Sequence, residues 1–530
     1  MVASCTPLSR FVFPAALLAA AGVAAAQPTV TDGRLKAEVV ATGLPTGIDN
    51  LVAAMVMLDE RTGLLCYRAT GQIRRIDLPG LSFGPVAPVT AGPLVADLDI
   101  IARTPGDGQS EYGVQGIVTD PGFPTVPYIY IRYDASPTPG VDTPQSAFAE
   151  FTLPSPQNSV VDRFIWDPSG NGGVGSLAFD RRIHTADTMS RYHHGGPPVF
   201  GPDGTLYIPL GDNRLSFNRA FNNEPSVQFQ AGVIHRINAD GTVPADNPFP
   251  VAISGWPGTE KWFAYGFRNI FGTAIDPWST APGGGLWVTE NGEATYDELN
   301  YVPRSANGGF TDIAGPTGHP RQTGNINGLI QTPGEPGSFY IEPKFSWYQT
   351  TGVTGLAFLA GSALGPAFDS RILVANYNTP FLYWFELNAS RTALVLRHPG
   401  LQDAVDDRLP SNQNPTGTES AETLLGRGFG TPFSGGVLIA QTPRLRVPLV
   451  VTADGRIIRV TRRCWADVAA PGLTPGADGT IDGDDFIAFI NAFAIGEALA
   501  DLASGGEPGP DGTVDGDDFI TFINGFAAGC

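Results

Sequence analysis

Arg191-Tyr-His-His-Gly-Gly-Pro-Pro-Val-Phe-Gly-Pro-Asp-Gly-Thr-Leu-Tyr-Ile-Pro-Leu-Gly-Asp-Asn213 places two of the chain's six histidines beside a Gly-Gly pair and then makes a tight turn. The run that leaves this turn, Thr205-Leu-Tyr-Ile208, alternates in the way of a β-strand. The same unit recurs: Gly71-Gln-Ile-Arg-Arg-Ile-Asp77, Tyr128-Ile-Tyr-Ile-Arg-Tyr133, Gly232-Val-Ile-His-Arg-Ile-Asn238, Gly285-Leu-Trp-Val-Thr-Glu290, Arg371-Ile-Leu-Val-Ala-Asn376 and Gly455-Arg-Ile-Ile-Arg-Val460. Short β-rich runs punctuated by Gly, Pro, Asn and Asp clusters predict an all-β repeat fold. Divided into six units, residues 30–462 give about 70 residues each, long for a compact propeller blade but consistent with extended functional loops. A histidine at the mouth of a strand, on a loop whose glycines admit close approach, is placed to exchange protons near neutral pH. Most loop histidines are structural, so the pair needs support from elsewhere in the chain.

Composition narrows the class. Glycine (66) and proline (47) are abundant and charged residues make up only 16%, which favours frequent turns and short strands over long helices. The formal charge of −20 argues against nucleic acid or an anionic membrane as partner. Residues 1–26 carry Arg10, an apolar run from Phe11 to Val23 and Ala24-Ala25-Ala26, the pattern of a cleaved secretory signal; the run is short for a membrane span and contains Pro14. No later segment has the length and apolarity to cross a bilayer, so the expected product is an exported chain without a membrane span.

Three further loops read as functional. Glu111-Tyr-Gly-Val-Gln-Gly leads into a strand, Gly266-Phe-Arg-Asn269 sets a guanidinium beside an amide among aromatics, and Glu290-Asn-Gly-Glu-Ala-Thr-Tyr-Asp-Glu-Leu-Asn300 runs from a strand end into a cluster of acids and amides. Singly, an aromatic-flanked arginine stacks in a core and acids after a strand are solvated. Together and in this order, His-x-Gly-Gly with Gly-Pro-Asp-Gly, Gly-x-Arg-Asn, and Glu-x-Gly with Asp-Glu-x-Asn resemble the soluble pyrroloquinoline-quinone (PQQ) sugar dehydrogenases of the glucose/sorbosone dehydrogenase family. Asp246-Asn-Pro-Phe249 after an Arg-Ile-Asn strand adds to the resemblance, which spans roughly residues 35–460.

The resemblance implies a six-bladed β-propeller over residues 30–462 with the quinone in one end of its channel. It implies His193 as general base, with His194 at a variable position. Arg268 and Asn269 fall on the quinone-contacting pair, with Arg268 also stabilising developing charge, and Gly292 and Glu293 on the residues whose main-chain oxygens hold Ca²⁺. The implied reaction removes the proton of a sugar C1 hydroxyl as hydride passes to the ortho-quinone. Several positions depart from the pattern. Tyr112 stands at a quinone-binding glutamine, Pro197 at a common arginine, and Phe267 at a common histidine. Asn378 stands at a strand-end lysine that meets a quinone carboxylate, and the Arg-x-Arg that usually follows is absent from Gly428 to Val437, leaving Arg427, Arg444 and Arg446 as candidate substitutes. A non-catalytic carbohydrate- or protein-binding propeller with a degenerate quinone site is the alternative from a different class, and a lactonase-like calcium propeller a third.

The segment from Cys464 to Cys530 has twelve acidic residues and no Lys or Arg, and reads as a separate module. Asp478-Gly-Thr-Ile-Asp-Gly-Asp-Asp-Phe-Ile-Ala-Phe-Ile-Asn-Ala-Phe493 returns 33 residues later as Asp511-Gly-Thr-Val-Asp-Gly-Asp-Asp-Phe-Ile-Thr-Phe-Ile-Asn-Gly-Phe526. In each copy the apolar spacing predicts one face of a short helix, preceded by the second half of an EF-hand-type loop. The pattern resembles the paired dockerin-type repeats, ending in Gly-Cys, of exported planctomycete proteins. That resemblance implies calcium at Asp478, Thr480, Asp482 and Asp485, and at Asp511, Thr513, Asp515 and Asp518, and a cohesin-like or cell-surface docking partner. Asp467 and Asp501 serve only if the loops are expanded. Cys5 leaves with the signal; Cys464 and Cys530 bracket the repeats and are expected to pair, with Cys66 a buried thiol in an apolar strand.

Overall fold

The computed structural model describes residues 27–47, 51–80, 87–148, 158–187, 190–214, 230–249, 258–280, 284–329, 338–407, 419–470, 472–475, 481–504, 507–508 and 512–528. The expected signal segment, with Asp478, Thr480, Asp511 and Cys530, lies outside these residues.

From the first repeat unit the chain builds a meander of Val52–Met57, Thr62–Tyr67, Gln72–Asp77 and Leu94–Asp97. Sheets starting at Val114–Thr119, Val199–Phe200, Ile270–Ile275, Val353–Phe358 and Gly436–Gln441 follow in chain order. The last of these is completed by the other end of the chain: Leu35–Ala41 pairs antiparallel with Ile457–Arg462, Ala37 opposite Val460. Apolar clusters fill the junction between each sheet and the next. Cys66 and Ile73 pack with Val114 and Ile129 at one junction, Trp287 and Trp347 with Phe358 and Tyr383 at another. Leu449 and Val451 close the circuit against Met55 and Leu65 of the first sheet. The fold is an all-β propeller.

This arrangement explains why the strands read as apolar runs more than as strict alternation. A sheet between two others is covered on both faces, so Thr205–Leu210 is buried at every position. It also explains glycines on three innermost strands. A Cβ on Gly116 would lie 2.4 Å from Pro198, on Gly272 2.1 Å from Thr354 O, and on Gly355 2.4 Å from Ile439 N. In each case the obstructing atom belongs to the next sheet or to the loop leading into it, so these glycines set how closely the inner strands crowd the axis. No helix among the described residues is long and apolar enough to cross a membrane.

The tail has its own small core, in which helices Gly483–Ile495 and Gly516–Ala528 face one another. Phe489 and Phe522, equivalent in the two repeats, stack with ring centroids 3.9 Å apart. Asp482, Asp485, Asp515 and Asp518, expected from the sequence as metal ligands, all act as helix caps. Asp482 caps its helix by accepting from Asp484 N, and Asp485 closes the capping box by accepting from Asp482 N at 2.9 Å. The other oxygen of Asp485 takes Val468 N at 2.7 Å and Ala469 N at 2.8 Å. Asp518 repeats the arrangement with Asp515 N, Leu502 N and Ala503 N at 2.7, 2.5 and 2.7 Å. Three of the four lone-pair sites on each buried carboxylate are therefore occupied by backbone N–H, which leaves no bidentate ligand. Thr513 lies in the second loop, and the described residues contain no cluster of three His, Cys, Asp or Glu side chains able to hold a metal. Cys464 is disulfide-bonded and Cys66 is a buried free thiol.

Candidate functional site

Loops from the sheets meet at one mouth of the channel around a cavity of about 330 Å³, lined among others by Arg68, His193, Asn269, Gly292, Asp297 and Asn378. That volume lies at the lower end for a small-molecule site. Residues of separate sheets, far apart in sequence, thus share one wall.

His193 precedes the strand Val199–Phe200 with a left-handed backbone, φ 52°. Its Nδ1 meets Asp212 Oδ1 at 2.5 Å, and Asp212, from the loop after Thr205–Leu210, also accepts from Arg214 N at 2.9 Å. An Nδ1–H held by a carboxylate leaves Nε2 as the basic nitrogen, and Nε2 has no protein partner among the described residues. This is a proton acceptor oriented toward a cavity. The neighbouring glycines act differently from the sequence reading: a Cβ on Gly195 would lie 2.4 Å from Pro209 O, and one on Gly196 2.5 Å from Phe271 O. They let the loop thread between two strands of its own fold.

His194 faces away. Its Nδ1 bonds Asp134 Oδ2 and its Nε2 Ser190 O, both at 2.8 Å. Arg132, unremarked in sequence because it sits within a strand, is fully buried and donates to Gly196 O at 2.6 Å, Pro209 O at 2.5 Å and His194 O. It staples the histidine loop to its strand; burial lowers its guanidinium to about 10. Glu111 joins three of the sequence motifs, accepting from His194 N at 2.9 Å and Asn269 Nδ2 at 3.0 Å. Burial works against its charge, but His193, Arg68 and His194 together hold its carboxyl below the usual glutamate range.

Acids of another kind stand at and behind the wall, where Asp297 lines the cavity and Glu290 and Glu298 do not. Asp297 accepts from Gly292 N at 2.9 Å and Gly352 N at 2.6 Å, yet burial pushes it up to about 6. Burial pushes Glu298 up to about 7. Glu290 is raised well above the ordinary range by burial and by Glu298.

The cavity therefore gathers His193, Asn269, Gly292 and Asn378 of the residues singled out in sequence. Three others are not on the cavity wall. Tyr112 does not line the cavity; it is buried edge-on against the His194 ring at 4.9 Å, in the loop before the strand Val114–Thr119. Arg268 also stands behind the wall, its Nη1 drawn to Asn291 O at 2.9 Å. The side chain of Glu293 is exposed. For a cation, the carbonyls of Gly292 and Glu293 remain without a protein partner among the described residues, which fits a main-chain oxygen site. For an anionic quinone, the wall offers Asn269, whose Oδ1 is buried without a partner, together with Asn378 and Arg68. Asp212, Glu111, Asp297 and Arg68 were missed as site residues. Asp212 had one usable signal, its position just past a strand that begins beside the histidines.

A glucose/sorbosone dehydrogenase family model matches residues 52–409. Aldose sugar dehydrogenase YliI of Escherichia coli (strain K12) is 34% identical over 31% of this chain and 40% of its own length. Quinoprotein glucose dehydrogenase B of Acinetobacter calcoaceticus is 27% identical over 47% of this chain and 48% of its own. The chain thus spans less than half the length of these curated relatives. Among solved structures, a glucose dehydrogenase superposes with TM-score 0.55 at 19% identity, covering 80% of this chain and 98% of that one. The PQQ-bound aldose sugar dehydrogenase of Streptomyces coelicolor gives 0.51 at 20%, covering 81% and 99%. At such identities these structures speak to the fold alone.

Proposed function

The chain belongs to the glucose/sorbosone dehydrogenase family, and from that premise we propose that it is an exported oxidoreductase that oxidises the C1 hydroxyl of an aldose or related sugar, with PQQ and Ca²⁺ at the mouth of a six-bladed propeller. One observation carries the reading. His193, oriented by Asp212 and with Nε2 free of protein partners, faces the cavity that also holds Asn269, Gly292 and Asn378.

Bound there, the quinone supplies a two-electron hydride acceptor and Ca²⁺ supplies positive charge beside it. The protein does the rest. His193 Nε2 takes the proton from the sugar hydroxyl, Asp212 holds the tautomer and steadies the imidazolium that forms, and Arg132 keeps the histidine loop in register. Asn269 and Asn378 are the amides available to a cofactor, and the carbonyls of Gly292 and Glu293 are the oxygens available to the cation. The raised carboxyls of Glu290 and Glu298 lower the negative charge that this end of the channel presents to an anionic cofactor. The tail is proposed as a docking module; its calcium is left out of the proposal because Asp485 and Asp518 are committed to backbone N–H.

The test is reconstitution with PQQ and Ca²⁺, followed by the bound-quinone spectrum and by dye reduction with aldoses. His193→Ala is expected to lower turnover by ~10² or more, and His194→Ala by only a few-fold while reducing stability. Equal losses of turnover in the two variants overturn the assignment.

A further inference from the structure

Arg68 follows the strand Thr62–Tyr67 and is 5% exposed. Its backbone is fixed on both sides: Arg68 N donates to Leu51 O at 3.2 Å, and Arg68 O accepts from Val114 N at 3.2 Å. Its guanidinium lies over the Phe271 ring, 5.5 Å from the centroid. Among the described residues it has neither a hydrogen bond nor an ion pair, and Nε is buried without a partner. Arg68, Phe271 and Val437 line both the site cavity and the next cavity down the channel, so they form the floor between the two. Arg68 is also the sole Lys or Arg on the described wall of the site. Arg427 and Arg444 are exposed away from it, and Arg446 lines a separate cavity.

A buried guanidinium without a hydrogen bond or ion pair is costly to the fold: burial lowers its pKa even though the charge of Glu111 opposes the shift. Its planar donor fork matches a carboxylate bidentately. We propose that Arg68 binds a carboxylate of the quinone cofactor from the channel floor, supplying the cation that Asn378 does not. This rests on the proposed function, PQQ being a tricarboxylate.

The test titrates the full chain, in Ca²⁺, with PQQ and with its trimethyl ester by equilibrium dialysis. Wild type is expected to bind PQQ more tightly than the ester. Arg68→Met weakens PQQ at least ten-fold without changing ester binding, and Arg68→Lys recovers most of the loss. Without ligand, Arg68→Met melts at or above wild type, since no hydrogen bond or ion pair is lost and the cost of burying the guanidinium outweighs its attraction to Glu111. Wild type binding no PQQ overturns both the functional reading and this one. PQQ binding undisturbed in Arg68→Met overturns this one alone. So does a Met variant that unfolds or melts well below wild type, or one that keeps PQQ but loses affinity for a sugar carboxylate such as glucuronate.

Discussion

Two sets of buried carboxylates in this protein look alike in sequence and behave differently. In the tail, Asp485 and Asp518 each accept three backbone N–H bonds and join a loop to the start of a helix. At the propeller mouth, Glu290 and Glu298 lie side by side with fewer donors, Asn300 Nδ2 reaching Glu298 at 2.8 Å, and both are pushed toward the protonated form. Asp212 has one oxygen on His193 and the other buried without a partner. Saturated carboxylates hold backbone in place; incompletely satisfied ones buried near the site retain free energy that a proton, a base or a ligand can use.

The sharpest way to break this contrast is Asp485→Ala. Stranding buried N–H groups is expected to cost the tail about 3 kcal/mol or more, read as loss of amide protection in the helix Gly483–Ile495, while the propeller's protection persists. Chelation with EDTA should leave tail protection unchanged; a drop restores metal to those loops. Next is Asp212→Asn, which removes the charge that fixes the His193 tautomer. It is expected to lower turnover by ~10² with the melting temperature nearly unchanged, and a variant with full activity separates Asp212 from the chemistry.

The smallest effect, and the one that sharpens the comparison most, is Glu298→Gln. Because the folded-state carboxyl is raised to about 7, it favours folding below the ordinary glutamate pKa, and that contribution is lost as pH rises through 7. The amide cannot ionise, so the variant should gain on the order of 1–3 kcal/mol relative to wild type above pH 7 and match it near pH 4. Denaturant melts across that range check it, and parallel curves refute it.

Much of this was readable without coordinates. The repeated turn-and-strand unit predicts an all-β propeller because local turn chemistry and strand propensity act over a few residues, and the near-exact tail repeat predicts a pair of similar helices for the same reason. His193, Asn269, Gly292 and Asn378 were reachable by motif. Arg68 was not: Leu64-Leu-Cys-Tyr-Arg68 reads only as an apolar strand, and only closure of the sheets puts that arginine on a channel floor. Tyr112 runs the other way, a site position by order in the chain whose ring is buried against His194. The Asp-x-x-Asp spacing suits a metal loop and a capping box equally well. What the sequence determines here is the local alphabet of turns, strands, helices and chemically able side chains. Which of them meet, and which lone pairs and charges are left uncommitted when they do, depends on packing between segments hundreds of residues apart, and that only the tertiary structure decides.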